Sequence, residues 1–353
     1  MNNENKTLII LTPGWAQSEA DTNCLPMQQS FVKTLKRTYP QLNIIILAFQ
    51  YPYFKKTYQC YGATVISFGG KNKGGIARLL LRPKIMAALK KINEHHQIAG
   101  ILSFWYNECA AVGKIFADNN GLSHYCWLLG QDARKENKYP GRIHAKGNEL
   151  IALSDFLQDE FQKNHGVRPQ HVVPPGIDSK QLPVAKAGRD IDILGAGSLI
   201  PLKQYPLFIE AIAEIKKNLP HIKAMLIGDG PDKEKLQDLI LRSGLQDNIE
   251  LTGELPNPQV LQQMQRARLF LHPSSYEGFG VVCIEALAAG CHVISFCKSM
   301  KQKVEQWHIA KDKEEMIKKA LGLLQKETAA KSIIPFSMND TADKMMELFT
   351  IPK

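Results

Sequence analysis

At 353 residues the chain is long enough for two domains of ordinary size, and its 44% hydrophobic content excludes a disordered or fibrous protein. Lysine and arginine number 44 against 34 aspartates and glutamates, a formal charge of +10, which favours anionic partners (nucleotides, phosphorylated acceptors, anionic lipid, nucleic acid) without choosing among them. The seven cysteines (24, 60, 109, 126, 283, 291 and 297) form no C-x-x-C pair and no zinc spacing, and most sit in apolar runs. They read as buried free thiols of a reducing compartment. The start of the chain is polar, without the charged n-region and long apolar h-region of a signal peptide, and no apolar run reaches transmembrane length. The expected location is cytoplasmic.

Short β-rich apolar runs alternate with helical patterns along the whole chain, which predicts an α/β protein built on doubly wound parallel sheets. In the first half, strands are expected at 8–11, 43–49, 63–67, 100–104, 123–129 and 149–153, with helices at 27–38, 76–93 and 110–119. Turn formers punctuate 172–178, and 179–188 is small and polar, as a linker would be. A second series follows, with strands at 192–196, 224–227, 249–252 and 269–272 and helices at 205–218, 232–243 and 258–265. An amphipathic stretch at 341–349 ends the pattern.

The most informative segment is 273–290. Glu277 and Glu285, eight positions apart, bracket the loop Gly278-Phe279-Gly280, which opens directly into an apolar helix ending at Gly290. The exposed N–H groups of a helix start and the positive end of its dipole form a site for phosphate. Gly278 and Gly280 permit close backbone approach, and the N–H groups near Phe279, Val281 and Val282 would stabilise a diphosphate there. An ionised carboxylate only accepts hydrogen bonds and suits a vicinal diol. One carboxylate at each side of a bound diphosphate would meet a ribose and a sugar, so the pattern suggests a nucleotide-sugar.

This segment resembles the E-x7-E signature of retaining GT-B glycosyltransferases of family 4, and the resemblance continues into the strand His292-Val293-Ile294-Ser295. It implies two Rossmann-like domains facing an interdomain cleft: an acceptor-binding domain at 1–178, a linker at 179–188, a nucleotide-sugar-binding domain at 189–336, and a final helix at 337–353 returning to the first domain. The implied activity is transfer of a sugar from a nucleoside diphosphate donor to a hydroxyl of a glycan or lipid-linked acceptor, with retention, in cell-surface polysaccharide or glycolipid synthesis. Glu277 would hold the sugar hydroxyls and Glu285 the ribose.

The resemblance extends to further positions. Lys203 fits a cation that neutralises charge on the leaving diphosphate; the plain alternative is a solvated lysine at a helix start. Ser198 stands where the family usually has Arg and supplies a hydroxyl without charge. Gly228 and Gly230 fit a turn past the nucleotide or an ordinary turn, and Thr252 lies in a segment whose backbone meets the base. Gly14 occupies the place of a glycine-rich loop, and the neighbouring Trp15 either lines the acceptor cleft or packs in the core. Asp132 fits an acidic position near sugar or acceptor, or caps a turn. Asn107 and Glu108 are weaker candidates for the same cleft. Leu129 replaces the family's usual His.

Other readings are weaker. Gly195-Ala196-Gly197 begins a dinucleotide fingerprint, but Ile200 replaces its third glycine. Asp190-Ile191-Asp192 resembles a metal-binding D-x-D, yet it opens a strand, so no metal is expected. Between positions 71 and 91 the cations Lys71, Lys73, Arg78, Arg82, Lys84, Lys90 and Lys91 occur with no acidic residue, beside an apolar face that includes Leu79. This stretch is either a packed helix with a solvated basic face or a peripheral contact with anionic membrane. No nucleic-acid motif is present. The alternative function is a catalytically silent nucleotide-sugar-binding or scaffold protein of the same fold, motivated by Leu129 and Ser198.

Overall fold

The computed structural model describes residues 6–183, 188–326 and 331–353. The polar start at 1–5 and the middle of the expected linker, 184–187, lie outside the described residues, as do the side chains of 76–79, Arg78 and Leu79 among them. The chain divides into two compact units, one of Met1–Gly176 with Met338–Lys353 and one of Ile177–Ser337.

The first unit is built on β1 (Thr7–Gly14), α1 (Pro26–Thr38), β2 (Asn43–Tyr51), β3 (Lys55–Cys60), β4 (Ala63–Phe68), α2 (Ile76–His95), β5 (Ile98–Phe104), α3 (Glu108–Asn120), β6 (His124–Trp127), α4 (Pro140–Ile143), β7 (Leu150–Ala152), α5 (Asp155–His165) and β8 (His171–Val172). Its sheet runs β3-β4-β2-β1-β5-β6-β7-β8. Every pairing is parallel except that of β3 with β4. The central strands are buried on both faces, so Leu8, Ile9, Ile10 and Leu11 are all fully covered. That is why they read as a continuous apolar run rather than an alternation. The edge strand β3 escapes sequence reading because Lys55, Lys56, Thr57 and Gln59 are exposed and polar. It is held as a hairpin by Tyr61-Gly62, both at positive φ (52° and 73°), the conformation that suits a tight two-residue turn. Helix α5 follows Ser154, whose Oγ accepts from Leu157 N at 3.0 Å and caps the first turn.

The second unit contains β9 (Ile191–Ala196), α6 (Tyr205–Lys216), β10 (Ala224–Ile227), α7 (Lys233–Arg242), β11 (Ile249–Gly253), α8 (Asn257–Arg266), β12 (Ala267–His272), α9 (Val281–Ala288), β13 (His292–Ser295), β14 (Trp307–Ile309) and α10 (Lys313–Leu324). All its strands are parallel, in the order β11-β10-β9-β12-β13-β14. The order reverses between β9 and β12, so the carboxyl ends of those strands diverge around a crevice, the usual ligand position in such sheets. Ile193, Leu226, Phe208, Ile212 and Leu269 form part of the core between this sheet and its helices. Asp190 and Asp192 are taken up by ion pairs with Arg266 and Arg268 at 2.5 and 3.4 Å.

The last helix, α11 (Met338–Leu348), belongs to the first unit. Tyr39 Oη donates to Asp343 at 2.8 Å, Arg37 to Asn339 at 3.2 Å, and Thr341 Oγ1 to the Pro174 carbonyl at 2.8 Å.

Candidate functional site

The site grows from the two central strands of the second unit. Strand β9 ends at Ala196 and runs into a short 3-10 turn, Pro201–Lys203; β12 ends at His272 and runs into the 273–280 loop. The Leu202 carbonyl ties these connections together. It accepts from Ser275 N at 3.0 Å, Ser275 Oγ at 3.1 Å and Ser274 Oγ at 3.3 Å. This clamp brings Lys203 and Glu277, far apart in sequence, into direct contact: Lys203 Nζ donates to Glu277 Oε1.

Glu277 Oε1 also lies 2.8 Å from His272 Nε2. Burial alone would raise the Glu277 carboxyl, but the hydrogen bond from His272 and the charge of Lys203 outweigh it and bring the pKa to about 2. Burial depresses His272 more than Glu277 raises it, so the imidazole is neutral at pH 7. An ionised carboxylate can only accept, which places the imidazole proton on Nε2. Nδ1 is then a lone-pair acceptor, and among the described residues no polar atom meets it. His272 is absent from the sequence-based candidates. Its signal was a polar residue closing the apolar run Leu269-Phe270-Leu271 at a strand's carboxyl end.

Beside this trio lies a cavity of about 400 Å³, walled in part by Gly197, Ser198, Lys203, Gly228, Glu254 and Val282. Gly228 has φ 153°, and a Cβ there would sit 2.0 Å from the Gly197 carbonyl oxygen. Two connections therefore cross closely at a point only glycine can occupy. Thr252 lies at the end of β11, with Oγ1 donating to the Gly253 carbonyl at 2.9 Å, and that same carbonyl accepts from Gly228 N at 2.9 Å.

Gly280, at φ 82° and ψ 55°, starts α9, and no side chain caps that helix. Phe279 is buried against Phe336, with ring centroids 5.5 Å apart, and its carbonyl accepts from Ser299 Oγ. Glu285, in the second turn of α9, is partly covered and accepts from Asn257 Nδ2 at 3.3 Å. Burial pushes its carboxyl up to about 7, against the smaller opposing effect of that hydrogen bond. The two glutamates thus differ in kind: Glu277 is a carboxylate throughout the neutral range, and Glu285 changes protonation within it.

The remaining candidates lie in the first unit. Gly14 ends β1 and stacks closely on Tyr51. Trp15 is fully buried. Asn107 caps α3 by accepting from Cys109 N at 2.8 Å. Glu108 is buried and forms an ion pair with Arg82, whose Nη2 lies 3.0 Å from Oε2; Tyr139 Oη donates to the same oxygen at 3.3 Å. Asp132 is 2% exposed, accepts from Leu129 N at 2.8 Å, and is pushed up to about 7 by burial. Its carboxylate closes the turn that Leu129 begins.

Residues 178–333 match the family model described as Glycosyl transferases group 1. The phosphatidylinositol N-acetylglucosaminyltransferase gpi3 subunit of Schizosaccharomyces pombe is 35% identical over 153 residues, covering 42% of this chain and 34% of that protein. Four such curated relatives are matched over between 34% and 58% of their own length. Two solved structures share the fold over nearly the whole chain. One is Anabaena Alr3699/HepE in complex with UDP and glucose, with TM-score 0.65 at 16% identity over 97% of this chain and 95% of that one. The other is sucrose-phosphate synthase from Thermosynechococcus elongatus, with TM-score 0.69 at 17% identity over 98% and 95%. Residues 178–333, the segment that carries the Lys203–Glu277–His272 cluster, thus match the glycosyl transferases group 1 family, and the chain has the GT-B fold of these neighbours.

Proposed function

We propose that this protein is a retaining glycosyltransferase that moves a sugar from a nucleoside diphosphate donor to a hydroxyl of a glycan or lipid-linked acceptor. The observation that carries the reading is the contact of Lys203 with an ionised, His272-braced Glu277 at the rim of a cavity formed at the sheet's switch point. The donor's diphosphate would lie across Gly197, Ser198 and the start of α9, with Lys203 neutralising charge as the phosphate leaves. Glu277 would accept from the sugar hydroxyls and Glu285 from the ribose. The match of residues 178–333 to the glycosyl transferases group 1 model and a fold neighbour crystallised with UDP and glucose support this assignment of the donor class.

The reading extends to cell-surface polysaccharide or glycolipid synthesis on the cytoplasmic face of a membrane. No described helix is long and apolar enough to cross a membrane. In the first unit, Tyr53, Phe54 and Leu80 are 53%, 40% and 61% exposed, and Lys55, Lys56, Lys71 and Lys73 are exposed along the same stretch of chain. Apolar side chains among lysines suit peripheral contact with anionic lipid; co-sedimentation with phosphatidylglycerol vesicles, lost on reversing these lysines, tests that part.

The decisive experiment is a thermal-shift titration of the whole protein against UDP, GDP, ADP, CMP and NAD, repeated on Glu285→Ala. A nucleoside diphosphate at a hundred times its Kd stabilises by about 2.7 kcal/mol. A shift with one of them, weakened in the variant, supports the donor assignment. No shift with any of the five sinks it, and binding without donor turnover favours the silent alternative.

A further inference from the structure

A second cavity, of about 410 Å³, lies in the second unit and shares no lining residue with the first. Its walls come from the 298–304 segment, β14 and α10. Lys298, Lys303 and Lys319 contribute three ammonium groups, and no aspartate or glutamate lines it. Lys319 is paired outside the cavity with Glu315 at 2.6 Å. Lys298 and Lys303 have no carboxylate partner among the described residues. Two positive charges are therefore left facing one concave surface.

The other wall is apolar: Trp307, Val304, Ile309 and Met300. The Trp307 indole is fixed by donating Nε1–H to Ser295 Oγ at 2.9 Å. His308, also on the wall, lies 3.2 Å through Nε2 from His292 Nδ1. Burial, and after it the neighbouring His292, Lys319 and Lys303, depress His308, so its imidazole is neutral at pH 7. The lysine-bearing segment is anchored. Ser299, 3% exposed, donates to the Phe279 carbonyl, and Cys297 Sγ donates to the Ser274 carbonyl at 3.1 Å. Solvated surface lysines would not require a pinned loop, a fixed indole and a cavity of ligand size.

We infer that this cavity is a second binding site, taking a small organic phosphate whose dianion sits between Lys298, Lys303 and Lys319 and whose ring or alkyl part lies on Trp307. Ammonium groups bind phosphate through charge-assisted hydrogen bonds. A flat apolar partner beside them selects an organic ester over inorganic phosphate. This inference does not depend on the proposed transfer reaction. The phosphate can come from a soluble monoester or from a lipid headgroup.

The test is calorimetric titration of the full chain with phenyl phosphate and, separately, inorganic phosphate, while Trp307 fluorescence is followed against Trp307→Phe. Lys203→Ala should bind phenyl phosphate as the wild type does, because Lys203 belongs to the other cavity. The double variant Lys298→Glu/Lys303→Glu should weaken binding by about tenfold or more. Both positions are exposed, so its melting temperature should be unchanged; Lys303→Met serves if it does not fold. Unaltered affinity in the charge-reversed protein overturns the inference, as does loss in Lys203→Ala or the absence of any saturable signal at millimolar ligand. Co-sedimentation with phosphatidic acid vesicles but not phosphatidylcholine, lost in the double variant, assigns the lipid source. Phenyl phosphate binding without co-sedimentation assigns the soluble one.

Discussion

His272 Nε2 lies 2.8 Å from Glu277 Oε1, and the opposite ring nitrogen is buried without a polar partner among the described residues. The imidazole therefore acts on Glu277 alone, holding it ionised and fixing its orientation, with no relay behind it. In His272→Ala the Glu277 carboxyl loses a hydrogen bond and its pKa rises toward the ordinary range. A hydrogen bond to a charged group is worth about 1.5–3 kcal/mol, so donor turnover should fall by one to two orders of magnitude. The acid limb of the pH–rate profile should move to higher pH, and His272→Gln, which restores an N–H donor, should return part of both. An acid limb that stays in place would show that His272 only packs.

Lys203 is placed by backbone geometry. The clamp at the Leu202 carbonyl holds the 201–203 turn against Ser274 and Ser275. Substitution to Ala leaves that clamp intact and removes only the cation. The expected loss is about 2–4 kcal/mol in transition-state stabilisation, read mainly in kcat. Melting temperature should change little, since Glu277 keeps His272 as a partner. A variant with wild-type kcat would remove Lys203 from the chemistry.

Glu285 predicts a pH dependence whose sign can be worked out. Its folded pKa of about 7 lies above the ordinary 4.5, so between those values the folded chain binds a proton that the unfolded chain has released. Stability from this group is complete below about 4.5 and is lost as pH rises through about 7. Glu285→Gln removes the loss, so its melting temperature should exceed that of wild type increasingly up to pH 8. Nucleotide binding runs the other way. If Glu285 holds the ribose as proposed, only its carboxylate form accepts from both hydroxyls, so wild-type affinity for a nucleoside diphosphate should increase through pH 7. In Glu285→Gln it should be weaker and flat. A pH-independent wild-type affinity would separate Glu285 from the ribose.

Much of the second unit was legible because β9, β10, β12 and β13 are mostly buried and read as short apolar runs. The expected strand at 224–227 coincides with β10, and the helix at 258–265 with α8 to within one residue at each end. The loop at 273–280 was legible because glycine and glutamate carry their chemistry in their type. His272 was not, because a histidine ending an apolar strand gives no local sign that its Nε2 will meet a side chain five residues on. Nor was β3, whose polar, exposed residues earn a strand only by pairing with β4. Strand β14 and helix α10 are not among the expected elements, although 313–324 carries a helical pattern behind the cap Asp312, which accepts from Glu315 N at 2.8 Å. The sequence leaves Asp132 open between a turn cap and a ligand contact, and its bond from Leu129 N, three residues back, is the local contact that a turn cap makes.

Gly228 offers the sharpest structural test of the cavity. Its φ of 153° already disfavours any side chain, and an added Cβ would stand 2.0 Å from the Gly197 carbonyl oxygen. That atom is backbone, so relief requires the β9 and β10 connections to part. The connection displaced carries Ser198 and leads to Lys203, so the strain is delivered to the cavity itself. Gly228→Ala should cost about 1–3 kcal/mol of stability, the range for overpacking a tight site, and should weaken nucleoside diphosphate binding more than any exposed substitution in α7. Gly322→Ala supplies the control, since a Cβ there meets nothing within 4 Å. If Gly228→Ala melts and binds nucleotide as the control does, the crossing of the two connections does not shape the site.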